Sequence, residues 1–126
     1  MKGTGFDAEA VWRRVERDMT LLRQLIAIFE REFPQLLAEM KVAIESGNAP
    51  ALEKAAHKIK GTMLQFAADR AGAAALELEE LGRSGTVAGA KSALEKLAYE
   101  SDLLLNSLRM MVSGTGELDR SSERGS

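Results

Sequence analysis

His57 is the only histidine in a 126-residue chain that has no cysteine. An imidazole can bind a metal, move a proton or attack as a nitrogen nucleophile. Zinc sites that need sulfur are excluded, and a di-iron bundle needs a Glu-x-x-His pair on each of two helices, for which the second histidine is missing. Lys60 follows three residues after His57, so on a helix it rises on nearly the same face, where a cation can offset negative charge on a transferred group. Gly61 follows one residue later. Glycine inside a helix costs roughly 1 kcal/mol relative to alanine, so it either opens space beside the imidazole or lets two helices approach closely. Lys58 lies about 100° around the helix from His57 and contributes general positive potential rather than direct contact. Without its neighbours, His57 would be an ordinary exposed helical residue.

The elements that must position these residues are read from hydrophobic spacing. Asp7 is suited to cap a short helix through about Arg17, with Val11, Trp12 and Val15 as its apolar contacts. From Asp18 to about Ser46, residues Leu22, Leu25, Ile26, Phe29, Phe33, Leu36, Leu37, Met40 and Ile44 recur at spacings of three and four, the period of one buried stripe. Pro34 falls inside that stripe, which continues in phase on both sides, so a kink is expected there rather than an end. Ser46-Gly47-Asn48 stops this helix and caps a third from about Ala49 to Phe66, with Leu52, Ala56, Ile59, Met63 and Phe66 inward. Asp69 is expected to cap a fourth, with Ala71, Ala74, Ala75, Leu78 and Leu81 inward. Thr86 is expected to cap a fifth, whose stripe runs from Val87 to Met111.

Four amphipathic helices joined by short loops bury their stripes most simply as an all-α, antiparallel up-and-down four-helix bundle, with the short extra N-terminal helix over one end. The expected organisation is a flexible lead-in over residues 1–5, one domain over 6–112 and a disordered tail over 113–126, where apolar residues become too sparse to offset the entropy of ordering. Composition narrows the function. The chain is 45% hydrophobic, 5% aromatic and carries a formal net charge of -2, too weak a field to hold nucleic acid. It has no stretch of roughly twenty apolar residues to span a bilayer, so direct membrane contact is not expected. It also has no G-x-G-x-x-G or Walker-type loop for ATP.

The segment Ala55-Ala56-His57-Lys58-Ile59-Lys60-Gly61-Thr62 resembles the signature of histidine-containing phosphotransfer (HPt) domains, in which A-H-x-[LI]-K-G-[ST] lies mid-helix in a four-helix bundle. The resemblance extends to Phe6-Asp7, Leu21-Leu22, Phe29, Pro34, the Ala68 region and Leu78-Glu79, and covers roughly residues 6 to 112. One departure is Ala67, where the family usually has glycine; a slight change at the end of that helix is expected.

The resemblance implies that His57 is the phosphoacceptor, using Nε2, with Lys60 anchoring phosphoryl oxygens and Gly61 leaving room for the group and for a docked partner. It also implies a hydrogen-bond acceptor for the Nδ1 proton, a role that falls on Glu79 when the alignment is carried over without gaps; Glu77 and Glu80 are its acidic competitors. The implied partners are response-regulator receiver domains, which supply their own Mg²⁺, so no cofactor is expected on this chain. Leu64, Gln65, Leu21 and Ile28 are the candidate docking residues. The expectation is a cytoplasmic, monomeric phosphocarrier without autokinase activity, cut from the C-terminus of a hybrid sensor histidine kinase whose parent could be membrane-anchored. A helical adaptor or dimerisation module in which His57 is incidental is the alternative. The dimerising phosphoacceptor domain of a histidine kinase fits less well, because it generally has an acidic residue directly after the histidine and two helices per chain, whereas Lys58 stands here among four stripes.

Overall fold

The computed structural model describes residues 6–124, and side chains over 6–113; the expected lead-in over residues 1–5 lies outside the described residues. Five helices follow one another: α1 (Ala8–Arg14), α2 (Met19–Ser46), α3 (Ala49–Gln65), α4 (Asp69–Arg83) and α5 (Ala90–Arg124). Three start on side-chain caps. Carboxylate oxygens of Asp7 and Asp18 accept from the N–H groups of Ala10 and Leu21, and the Asn48 side-chain oxygen accepts from Ala51 N–H, at 3.0–3.1 Å. Each satisfies one of the donors that a helix N-terminus leaves free. α2 continues through Pro34, because the stripe on both sides of it is buried.

Two starts differ from the sequence reading. Ala68, not Asp69, precedes α4, and no side chain caps it; Asp69 is instead the first helical residue, where its charge faces the positive end of the helix dipole. Ala68 is held there by an isolated antiparallel bridge to Phe6. Thr86 does not begin α5. Its hydroxyl accepts from Ala88 N–H at 3.0 Å, and Gly89 at φ +80° is incompatible with a right-handed helix, so α5 begins at Ala90. At its other end the α5 backbone runs on to Arg124, past Val112, where the sequence reading ends the helix and begins a tail. Once a helix is nucleated, each further residue adds one hydrogen bond, so it extends more readily than it starts.

α2 packs on α3, α3 on α4, α4 on α5 and α5 on α2, closing a four-helix ring, and the connections between them are short enough to make neighbours antiparallel. Its core is the predicted set with few changes: Leu22, Phe29 and Met40 from α2, Leu52, Ile59 and Met63 from α3, Ala74, Ala75 and Leu78 from α4, and Leu97, Leu104 and Leu108 from α5 are all buried. Phe66 stacks tilted against Phe29, with ring centroids 5.6 Å apart. α1 closes one end. Val11 and Val15 are buried, and the Arg14 guanidinium donates to the carbonyls of Leu64 and Gln65 at the α3 C-terminus, capping it in trans.

The α3–α4 contact is the most extensive in the bundle, and two backbone details make it so. A Cβ placed on Gly82 would lie 2.6 Å from the Glu53 nitrogen and 2.7 Å from the Ala49 oxygen, so α4 lies directly on the backbone of α3 there. The connection between the two helices turns on Ala67 at φ +51°, with Ala67 N–H bonded to Leu64 O and Ala68 N–H to Met63 O, the Schellman arrangement normally completed by glycine. A left-handed alanine carries strain that glycine does not. In denaturant titrations, Gly82→Ala should therefore lower stability by about 2 kcal/mol or more, whereas Ala67→Gly should raise it by up to about 1 kcal/mol. The converse ranking would show that the α3–α4 approach tolerates a methyl group and that the turn is unstrained.

Candidate functional site

α3 and α4 meet in an antiparallel register that sets residue 79 against residues 57 and 60, and residue 82 against residues 49 and 53. The site is built on this seam. Ile59 and Met63 point inward on α3, which turns His57 outward, and its side chain is 69% exposed. On α4, Leu78 faces the core and Glu79 follows it into the seam, where its side chain is only 3% exposed. Glu79 and Ser101 are the two buried polar side chains among the described residues. The competitors Glu77 and Glu80 are exposed.

The Glu79 carboxylate is ringed by donors. His57 Nδ1 lies 2.7 Å from Oε2, Arg83 Nη2 donates to the same oxygen from 3.1 Å, and Lys60 Nζ lies 2.6 Å from Oε1. The Lys60 contact is an ion pair whose angle departs from an aligned hydrogen bond. The Lys60 ammonium is the largest cause holding the Glu79 carboxyl below its ordinary value; burial opposes it, and His57 Nδ1 adds to it. Glu79 is thus ionised at neutral pH. A carboxylate can only accept, so the 2.7 Å contact requires the proton on Nδ1, and in the neutral ring the lone pair then lies on Nε2. No hydrogen bond among the described residues occupies Nε2.

His57, Lys60 and Glu79, singled out in the sequence, are therefore brought together, with Lys60 turned toward the carboxylate and three-quarters buried rather than reaching past the ring. Gly61 resolves the choice that its sequence leaves open. A Cβ there would meet nothing within 4 Å, so it packs against no helix and faces open space one turn after His57. The docking candidates Leu64, Gln65, Leu21 and Ile28 are all exposed, Leu64 the most so among the three leucine and isoleucine positions at 60%. Arg83 and Glu53 are the members that sequence reasoning missed. Arg83 Nε also lies 3.5 Å from Glu53 Oε2, so it bridges a buried and a half-exposed carboxylate. The signal was present, since Glu79 and Arg83 stand four apart on one helix, the spacing of a helical ion pair. Among the described residues, no group of three or more His, Asp or Glu side chains could hold a metal ion, and no helix is long and apolar enough to cross a membrane.

The fold and site define a four-helix bundle that exposes one imidazole, its inner nitrogen locked to a buried carboxylate. The family model of the Hpt domain matches residues 24–114, more than half of the chain, and the chain belongs to that family. No curated protein and no solved structure matches it. Hpt domains are phosphocarriers rather than kinases; they carry no cofactor and work with receiver domains in phosphorelays, by histidine phosphotransfer.

Glu79 also gives the fold a pH dependence whose sign is fixed. Its folded value lies below its ordinary value of 4.5, so across that interval the unfolded chain binds a proton that the folded chain does not. Stability is fully present above that value and is lost as pH falls through the folded one. The urea midpoint of the wild type should drop on acidification through this window, and Glu79→Gln should flatten that part of the profile. Equal acid slopes in the two proteins would remove Glu79 from the account.

Proposed function

We propose that His57 carries the phosphoryl group, accepting it from a receiver-domain aspartate and returning it to another. The observation that carries this reading is the pairing of an exposed imidazole with a buried acceptor: Nδ1 is held 2.7 Å from Glu79 while the ring is mostly in solvent. The locked tautomer presents the Nε2 lone pair outward as the nucleophile. Attack on an acyl phosphate forms the N–P bond as the P–O bond breaks, and the electron pair leaves with the aspartate carboxylate. Positive charge then develops on the ring. The Nδ1 proton transmits it to the Glu79 carboxylate, which is already oriented and needs no reorganisation during the step. Reversal returns the group by the same path.

Lys60 supports this role from beside the carboxylate and contributes positive potential for phosphoryl oxygens. Gly61 leaves an uncovered stretch of backbone one turn from the nucleophile, the kind of gap that a partner's loop can enter. Exposed Leu64, Leu21 and Ile28, with Gln65, form the docking set in this reading. The chain works in this reading as a monomer on the cytoplasmic side, as a module of a hybrid histidine kinase. The receiver brings the Mg²⁺ and the aspartate.

Incubation with a phosphorylated receiver should label the wild type and leave His57→Gln unlabelled. Failure of every receiver of the source organism to transfer would favour an adaptor instead. Gly61→Ala separates docking from folding. It should raise helix stability by up to about 1 kcal/mol and yet slow transfer from a receiver, because the new methyl occupies the space left for the partner. A stabilised variant with an unchanged transfer rate would show that Gly61 has no part in docking.

A further inference from the structure

Arg83 and His57 compete for one atom. Both reach Oε2 of Glu79, at 3.1 and 2.7 Å, while Lys60 holds Oε1. An acceptor oxygen that already takes a charged donor has less negative charge to offer a second. Arg83 is also divided, because its Nε stands 3.5 Å from Glu53 on α3, four residues before His57. The titratable and charged groups facing Glu79 are therefore Lys60 and His57 from α3 and Arg83 from its own helix, with Glu53 drawing on Arg83 from α3.

We propose that Arg83 is a positioning residue that sets the lifetime of the phosphohistidine, by limiting how much positive charge Glu79 can draw onto the His57 ring. The proposal rests on the reading of His57 as the phosphoryl carrier. In hydrolysis, water attacks phosphorus, the N–P bond breaks and its electron pair returns to Nε2. The ring is a good leaving group when Nδ1 keeps its proton, since a neutral imidazole then departs. The ring's positive charge is lost as that bond breaks, so a carboxylate relieved of Arg83 holds the cationic phosphorylated ring more strongly and the N–P bond breaks less readily. With Arg83 in place the acceptor is attenuated: strong enough to fix the tautomer, weak enough to let the phosphorylated ring give up its group. Arg83 is more than half exposed, so its pull on Oε2 is open to a docked partner as well.

Two readouts test this in the full chain. Phosphoramidate, a small phosphoryl donor, loads histidine without any receiver, and the half-life of the label is then followed at neutral pH. The Nδ1 proton of His57 is observed by NMR in the unphosphorylated protein, where a stronger bond to Glu79 moves its resonance downfield. Arg83→Gln should lengthen the half-life by about threefold or more and move the Nδ1 proton downfield. In a Glu79→Gln background, Arg83→Gln should alter the half-life by less than about twofold, because a residue that acts through Glu79 has nothing left to act on. Unchanged half-life and resonance in Arg83→Gln would overturn the role of Arg83 while leaving the carrier reading intact. An equal effect with and without Glu79 would overturn it too, since it would mean direct contact with the phosphoryl group. A wild type that phosphoramidate leaves unlabelled at His57 would overturn the carrier reading, and the lifetime proposal with it.

Discussion

The structure depends on one buried carboxylate. Removing an ionised glutamate from water is costly unless charge and hydrogen bonds replace its hydration, and Glu79 is almost wholly removed from water in the seam between α3 and α4. Its replacements come from both helices: His57 and Lys60 from α3, and Arg83 one turn along its own helix. None of these can reach it unless the helices are close. A Cβ placed on Gly72 would lie 3.7 Å from Met63 Cβ, and Gly82 lets backbone touch backbone beside Glu53. Charge satisfaction and close packing are thus one requirement, and the His57 imidazole is oriented as a by-product of meeting it.

The rest of the bundle holds that seam at its ends. At the α3–α4 connection, the left-handed Ala67 and the bridge between Phe6 and Ala68 fix where α4 starts, and hence which α4 residue faces His57. A shift of one residue would turn Glu79 by about 100° and bring Leu78 or Glu80 to the ring instead. Arg14 adds a clamp from α1 on the last carbonyls of α3. α2 and α5 contribute the large side chains that the seam lacks, Phe29, Met40, Leu97 and Leu108 among them. Bulk on one side of the core and smallness on the other let a thin polar seam sit within a stable apolar bundle.

Much of this was legible in the sequence, for physical reasons that also mark where legibility ended. Periodicity reports burial, so the stripes of α2 and α3 were read nearly residue by residue, as were the caps at Asp7 and Asn48, whose side chains bond within three residues. The start of α4 was misplaced by one residue because Ala68 is fixed by Phe6, far away in sequence. The start of α5 was misplaced because a threonine serves a turn as well as it serves a cap, and the deciding feature was the backbone at Gly89. At the site, His57 was legible from its motif and Glu79 only through the resemblance, since an acidic residue beside a core stripe is ordinarily solvated. Gly82 gave no local sign at all. What it avoids is a clash with residues about thirty positions earlier, and no spacing on α4 encodes that.

The two glycines flanking the site divide its labour. Gly82 lies inside the seam, where a side chain has no room; Gly61 lies on the outer face, where a side chain would meet nothing in this chain. Folding explains the first and cannot explain the second, because alanine at Gly61 would make a better helix. In the proposed reading, what the open surface at Gly61 serves is the docked partner. The imidazole stands between these constraints: its inner nitrogen belongs to the fold through Glu79, while the rest of the ring is mostly in solvent. The carboxylate can therefore influence the ring's chemistry without taking part in the encounter, and the encountering surface can change without disturbing the proton that orients the ring.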